Sequence, residues 1–142
     1  MNPSLSIRSI MTTPAVPISP ETTVAEIEWL FSSKPVLHLP VMGNDGRLIG
    51  MVSKSDLQNL SKWTGHLTQK RTCACHPEPI LTAAEIMIPN VIIVLPDDTL
   101  ANVCSIFSRH PFQALPVVDS EGWCLAGTIS MSDLLRYVIS QY

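Results

Sequence analysis

Gly50-Met51-Val52-Ser53-Lys54-Ser55-Asp56 and Gly127-Thr128-Ile129-Ser130-Met131-Ser132-Asp133 are two copies of one pattern, and the fold of the chain follows from it. In each copy a glycine and two mostly apolar residues precede Ser-x-Ser-Asp. The first part predicts the end of a β-strand. The second part predicts the first turn of a helix, because a serine followed three residues later by an acid can form a capping box. A strand-to-helix junction that occurs twice indicates a duplicated fold.

The duplication extends outward from these junctions over most of the chain. Twelve identical pairs occur at an offset of 76 residues, among them Ile10-Met11 with Ile86-Met87 and Leu39-Pro40-Val41 with Leu115-Pro116-Val117. The second copy then has one extra residue, and six more identical pairs follow at an offset of 77. Chance at average composition gives roughly three identities over this length. The two halves of the chain are therefore repeats of one unit.

Each copy shows the same order of apolar patterns, which reads β-α-β-β-α. Thr23 with Glu26 predicts a capping box at the start of the first helix, and Pro35 and Pro111 mark the exits of the equivalent helices. Turns at residues 43–46 and 119–122 both end in glycine, which is typical of hairpins. The predicted strands are residues 16–18, 38–42 and 48–52 in the first copy and 91–95, 114–118 and 125–129 in the second, with a last helix from 53 and from 130.

These patterns predict an α+β fold in which two repeats form one module. Neither repeat alone is long enough to bury a sufficient core. We therefore expect the repeats to pack through their sheets around a pseudo-two-fold axis, with helices outside. The predicted division is repeat 1 at residues 1–61, a linker at 62–82 and repeat 2 at 83–142.

Composition and charge exclude several classes of protein. The chain has 142 residues, of which 46% are hydrophobic and 15% charged, so it is not a disordered chain. A formal net charge of -3 leaves no large basic surface for nucleic acid. The apolar runs are too short to cross a bilayer, and the N-terminus has no secretory pattern. We expect a cytoplasmic protein without membrane insertion.

The repeat resembles the CBS domain, and the tandem resembles a CBS pair, also called a Bateman module. Three features carry the resemblance, in the same order twice: an Ile-Met opening with Pro20 or Pro96 nine residues after the Met, the Leu-Pro-Val strand, and the Gly-h-h-Ser-x-Ser-Asp ending. The resemblance implies a regulatory, non-catalytic module that binds an adenosine nucleotide (AMP, ADP or ATP) between the repeats. It also implies a homodimer whose arrangement signals to a partner protein, with no cofactor beyond the regulatory ligand.

The resemblance further implies which residues hold the ligand: the ending motif contacts ribose and phosphate, and the residues after the Ile-Met opening line the base pocket. The residues implied are Thr13, Pro14, Ala15, Val16, His38, Pro40, Ser53, Lys54, Ser55 and Asp56 in the first copy, and Pro89, Asn90, Val91, Ile92, Pro116, Ser130, Ser132 and Asp133 in the second. The chemistry is sound, because a carboxylate accepts hydrogen bonds from two vicinal hydroxyls. His38 and Lys54 have no basic equivalent in the second copy. With so few basic residues, a mono- or diphosphate, or a thioether-type adenosyl ligand, fits better than a triphosphate.

Other interpretations stay open at this point. Both Ser-x-x-Asp sequences are explained as helix caps without any ligand, and the chain is then a nucleotide-independent dimerisation or docking module. S-adenosylmethionine is an alternative ligand. In the linker, His66, Cys73, Cys75 and His76 belong to an ordinary connection or a redox-sensitive patch; their Cys-x-Cys spacing is unlike that of structural zinc sites. The sequence contains no motif typical of an enzyme, so neither a catalytic nor a metal site is predicted.

Overall fold

The computed structural model describes residues 2–60, 80–119 and 124–142. Most of the predicted linker, with His66, Cys73, Cys75 and His76, lies outside the described residues, as do three residues of the turn at 119–122. A short 3-10 helix spans Ile7–Ser9. The helices are α1 (Val24–Ser33), α2 (residues 54–60), α3 (Ala83–Ile86), α4 (Leu100–Arg109) and α5 (Met131–Ser140), and the strands are β1 (His38–Met42), β2 (Leu48–Ser53), β3 (Ile88–Pro89), β4 (Ala114–Val118) and β5 (Leu125–Ser130).

Each repeat contains the predicted hairpin. Strand β1 pairs antiparallel with β2, and β4 pairs in the same way with β5. The registers are equivalent, with His38 opposite Ser53 in one hairpin and Ala114 opposite Ser130 in the other. The predicted helices also form, and α1 begins with the predicted capping box, in which Thr23 and Glu26 bond each other's backbone N–H. The α+β fold of two packed repeats is confirmed.

The first predicted strand of each repeat is an exception. Residues 16–18 and 91–95 do not form strands; only Ile18 and Val94 make single parallel bridges, to Val41 and Val117. Each bridging residue donates its N–H to a proline carbonyl of the neighbouring strand, at 2.9 Å and 3.2 Å respectively. Prolines on both sides of Ile18, at positions 17 and 20, remove donors that a longer ladder needs. The apolar run alone therefore predicts a strand where the structure contains only a single bridge.

The first residues of each repeat pack on the other repeat. The N–H of Ile7 donates to the carbonyl of Asp98 at 2.9 Å, and Ile7 is fully buried in the core around α4, β4 and β5. In the equivalent contact, the N–H of Ala83 donates to the carbonyl of Thr22 at 2.8 Å, and Ala83 is buried in the core around α1, β1 and β2. Each repeat's core thus includes a residue that belongs, in sequence order, to the other repeat.

Two glycines make room for these crossing segments. A Cβ at Gly50 would lie 2.5 Å from the Sδ of Met87 and 2.9 Å from the carbonyl oxygen of Ile88. A Cβ at Gly127 would lie 2.5 Å from the carbonyl oxygen of Thr12. The glycine that opens each ending motif is therefore required by close backbone approach. Within the described parts of the chain, the structure contains no helix with the length and apolar character needed to cross a bilayer.

Candidate functional site

A cleft of about 120 Å³ lies between the two repeats and is lined by both. One wall is polar and belongs to the first repeat. The other wall is largely apolar and combines Met51 with residues of the second repeat. The lining residues are His38, Met51, Ser53, Ser55, Asp56, Ile88, Val91, Pro111, Phe112, Gln113 and Ala114.

Local structure places the polar wall where strand β2 turns into helix α2. His38 starts β1 and Ser53 ends β2, so the antiparallel register sets the two residues side by side. The Oγ of Ser53 accepts a hydrogen bond from the N–H of Asp56 at 3.0 Å, which caps the first turn of α2. The Oγ atoms of Ser53 and Ser55 lie 3.2 Å apart. The cap thus brings two hydroxyls and one carboxylate to the same rim of the cleft.

The carboxylate of Asp56 is available for a ligand. Among the residues that the structure describes, it receives no hydrogen bond and forms no ion pair, although the backbone of Asp56 takes part in the cap. The half-buried setting keeps some water away, so a hydrogen-bond donor that reaches this carboxylate gains more than it does at an open surface. A pair of neighbouring hydroxyls is a suitable donor for its two oxygens.

His38 is the basic group among the cleft-lining side chains. Burial lowers the pKa of its imidazole below 6.5, while the carboxylates of Asp56 and Asp133 act in the opposite direction. Within the described residues, the imidazole has neither a hydrogen-bond partner nor an ion-pair partner. The imidazole therefore lies within electrostatic reach of the acid in both ending motifs. It can meet a ligand phosphate as a neutral donor or as a cation.

The second ending motif has the same sequence pattern but different side-chain partners. Oδ2 of Asp133 accepts hydrogen bonds from the N–H and the Oγ of Ser130, both at 2.8 Å. Oδ1 accepts from Oγ1 of Thr12 and from Nη1 of Arg136, both at 3.2 Å. The N–H of Asp133 in turn donates to the Oγ of Ser130 at 3.2 Å, which completes a reciprocal capping box. Asp133 is only 7% exposed.

The cleft brings together five of the residues assigned by resemblance, namely His38, Ser53, Ser55, Asp56 and Val91. Others surround it without lining it: Lys54 uses its N–H to bind the carbonyl of Leu37, and Pro40 is buried inside β1. The opening residues from Thr13 to Val16 follow the segment that pairs with β5, beside Ser130 and Asp133. The roles of all these residues in ligand binding remain predictions.

Of the apolar wall of the cleft, sequence reasoning assigned Val91 and missed the remaining residues. Met51, Ile88 and the Pro111–Ala114 segment line it, although only neighbouring positions had been assigned. One signal was present, since residues 111–114 are the second-copy equivalents of 35–38 and so of His38 itself. If the two repeats face each other around an axis, the same position in both copies approaches the same space.

A second, wider groove of about 570 Å³ runs along α1 and is lined by Pro17, Ile18, Ser19, Thr22, Ala25, Glu26, Trp29 and Leu30. Its carboxylate, that of Glu26, is already engaged in the capping box of α1. The groove offers little polar chemistry, and we regard the smaller inter-repeat cleft as the candidate site. In the described ranges, no group of three or more His, Cys, Asp or Glu residues is placed to hold a metal ion.

Comparison with known proteins identifies the family. The CBS domain model matches residues 7–62 and 83–140, so the chain belongs to the CBS domain family and contains a tandem pair. CBS domains are generally regulatory modules. Among curated proteins, the homoserine O-acetyltransferase of Methanosphaerula palustris is 28% identical over 93% of this chain, but the match covers 24% of that enzyme. The chain thus spans about a quarter of the length of such relatives.

Solved structures agree with this assignment. The CBS domain pair of protein MJ0100, in complex with 5'-methylthioadenosine and S-adenosyl-L-methionine, matches with a TM-score of 0.78 and 21% identity over 99% of this chain and 100% of that one. CBSX2 in complex with AMP matches with a TM-score of 0.73 and 25% identity over 96% of this chain and 97% of that one. At 21% identity, the first likeness shows the shared fold alone.

Proposed function

We propose that this chain is a regulatory module that binds an adenosine nucleotide of the AMP class in the cleft between its repeats. The observation that carries the proposal is the carboxylate of Asp56, which has no partner among the described residues and faces the cleft beside the hydroxyls of Ser53 and Ser55. CBSX2, a protein of the same fold at 25% identity, binds AMP. In this chain the carboxylate would accept the ribose hydroxyls, and the serine hydroxyls and His38 would face the phosphate.

The size and charge of the cleft favour a single phosphate. A volume of about 120 Å³ is smaller than the sites that enclose a whole drug-sized ligand. We therefore place ribose and phosphate inside it and the base along the apolar edge formed by Ile88 and Val91. One imidazole is the basic group in the lining, and one carboxylate opposes it. A lining with so little positive charge favours one phosphate over the larger negative charge of a triphosphate.

We further propose that the module acts as a homodimer and signals to a partner protein without catalysing a reaction. Two helices carry exposed apolar side chains: Trp29 on α1 is 65% exposed, and Leu135 and Ile139 on α5 are 61% and 73% exposed. Leu135 and Ile139 are four residues apart and so share one helix face. A second copy would cover these faces. The ligand shifts the dimer only by the difference between its affinities for the two arrangements. A cytoplasmic location belongs to the same proposal.

One alternative ligand has support from the cleft itself. An unpaired carboxylate attracts a cation, and the sulfonium of S-adenosylmethionine is one that carries the same ribose. The other alternative is a docking module that needs no ligand. The docking module predicts the full set of Asp133 contacts, but it does not predict a carboxylate at Asp56 that lacks a partner within the described parts of the chain.

Thermal unfolding with AMP, ADP, ATP and S-adenosylmethionine, each at about 1 mM, tests the proposal. A ligand present at a hundredfold excess over its Kd adds about 2.7 kcal/mol to the free energy of unfolding, which raises Tm by several degrees. The Asp56→Asn variant should lose the shift. Glu28→Gln makes the same charge change on the exposed face of α1 and should keep it. No shift with any of the four ligands would contradict the proposal and favour the docking module.

A further inference from the structure

We infer that the second ending motif of this chain is a structural latch, so that the chain binds one nucleotide, at Asp56, rather than two. The latch consists of Thr12, Ser130, Asp133 and Arg136. The inference rests on the proposed function for the nucleotide itself, but the latch is argued from contacts within the protein alone.

The carboxylate of Asp133 has its hydrogen-bonding capacity filled from inside the molecule. Four donors reach its two oxygens: the N–H and Oγ of Ser130 on Oδ2, and Oγ1 of Thr12 with Nη1 of Arg136 on Oδ1. A carboxylate offers about four lone-pair sites, so a ribose could bind only by displacing one of these partners. Because Asp133 is 93% buried, as its 7% exposure shows, each displaced contact would leave a buried polar group to be satisfied again.

Two differences between the repeats remove from Asp56 the contacts that Oδ1 of Asp133 receives. The position equivalent to Thr12 is Ile88, which has no hydroxyl to donate. The position equivalent to Arg136 is Asn59, which brings no positive charge. Thr12 reaches Asp133 because its own backbone pairs with Thr128, just as Ile88 pairs with Met51 in the other half. The architecture is therefore the same in both halves, and these two side chains account for the two contacts on Oδ1. The serine is common to both motifs, but the Oγ of Ser53 lies beside Ser55 instead.

The latch also has a mechanical role. The hydrogen bond from Thr12 to Asp133 joins residues that are 121 positions apart in the chain. It therefore ties the crossing N-terminal segment to the start of α5, and the ion pair with Arg136 anchors the same acid to the helix. Loss of Asp133 should weaken the fold, whereas loss of Asp56 should not, because the cap of α2 uses the N–H of Asp56 and not its carboxylate.

Asp56→Asn and Asp133→Asn form a matched pair for the test. Each variant is titrated with AMP by calorimetry and unfolded by heat without ligand. For the wild type we expect one AMP per chain. Asp56→Asn should weaken AMP binding at least about tenfold, the loss of one charge-assisted hydrogen bond, with Tm nearly unchanged. Asp133→Asn should bind AMP within about threefold of the wild type and lose about 5 °C or more in Tm. Should Asp133→Asn not fold, Thr12→Val and Arg136→Gln test the same latch with the acid in place.

Several outcomes would overturn the inference. Two AMP molecules per wild-type chain would do so, as would a folded Asp133→Asn variant that no longer binds AMP. An unchanged Tm in Asp133→Asn would show that the four contacts do not stabilise the fold. Failure of the proposed function would give a different result, because neither the wild type nor any of the variants would then bind AMP. The Tm comparison between the two Asp→Asn variants would then still decide whether the latch exists.

Discussion

Thr12 and Thr128 are joined by two backbone hydrogen bonds, although they belong to different repeats. The N–H of Thr12 donates to the carbonyl of Thr128 at 2.8 Å, and the N–H of Thr128 donates back at 3.1 Å. Ile88 and Met51 occupy the equivalent positions in the other half of the molecule. The two repeats are therefore held together by exchanged segments as well as by their packed sheets, and a change that pushes one segment away should destabilise the whole module.

Gly127→Ala is expected to have this effect. The new Cβ would lie 2.5 Å from the carbonyl oxygen of Thr12 and 3.0 Å from Cγ2 of Thr13, so the backbone pair must separate. We expect the free energy of unfolding to fall by about 1–3 kcal/mol, the usual cost of forcing an extra carbon into a packed site. Urea denaturation of the variant and the wild type measures the difference.

Gly46→Ala is the control for Gly127→Ala. Gly46 has a φ of +80° but open space where a Cβ would stand, so its substitution costs about 1 kcal/mol through backbone conformation alone. If Gly127→Ala costs no more than Gly46→Ala, the close approach of Thr12 does not exist in solution.

The parts of this fold that the sequence predicts are those fixed by local chemistry. The strand His38–Met42 was predicted with the same bounds as observed, because a run of apolar residues ends at a glycine-containing turn. The capping box of Thr23 and Glu26 follows from residue types three positions apart. The prediction of a strand at residues 16–18 was wrong, because a β-ladder needs backbone N–H donors and Pro17 has no N–H.

The partner of each crossing segment was beyond sequence reasoning, because the same strand-to-helix pattern occurs in both repeats. Nothing local distinguishes Thr128 from Met51 as the neighbour of Thr12. For the same reason the ending motifs looked equivalent, and Asp56 and Asp133 received the same role. Their difference depends in part on Thr12, which is distant in the chain, and on Arg136, which lies three residues after Asp133.

The capping box of α1 allows a comparison between repeats. The side chain of Glu26 accepts a hydrogen bond from the N–H of Thr23 at 3.0 Å. At the equivalent position of α4, the cap runs one way only, from the N–H of Asn102 to Thr99. We expect Glu26→Ala to lower the free energy of unfolding by about 0.5–1 kcal/mol, measured by urea denaturation.

Asn102→Ala is the matched control, because it changes the same helix position where no reciprocal bond exists. This variant should be as stable as the wild type or slightly more stable, since alanine favours a helix over asparagine. Equal losses in the two variants would mean that the reciprocal bond of Glu26 adds nothing to the cap.

The exposed face of α5 provides a test of the homodimer. Replacing Leu135 and Ile139 together by glutamate removes two large apolar side chains from one face and places charge in the proposed interface. We expect a dimeric wild type and a monomeric double variant in analytical ultracentrifugation, because buried unpaired charges are costly. Ser140→Glu adds charge to an exposed position on the same helix and should stay dimeric. A dimeric double variant would exclude this face as the interface.

His38 should make stability depend on pH. Burial lowers the pKa of its imidazole below 6.5, so the unfolded chain binds a proton more readily than the folded chain does. Stability is therefore greatest above about pH 6.5 and falls as the pH drops below that value. His38→Gln removes the titrating group, and its free energy of unfolding should change less between pH 7.5 and 5.5. Parallel curves for the two proteins would show that His38 carries no part of the pH dependence.

The same imidazole should link AMP binding to a proton. The carboxylates of Asp56 and Asp133 act on the imidazole and already favour its cation. A phosphate in the cleft adds negative charge, so AMP should raise the pKa of His38 and bind with uptake of a proton. Affinity for AMP should then fall from pH 5.5 to 7.5, by up to about tenfold for each unit by which AMP raises this pKa. Adenosine has no phosphate and serves as the control ligand, and His38→Gln is the control protein. An affinity for AMP that is constant over this range in calorimetry would place the phosphate away from His38.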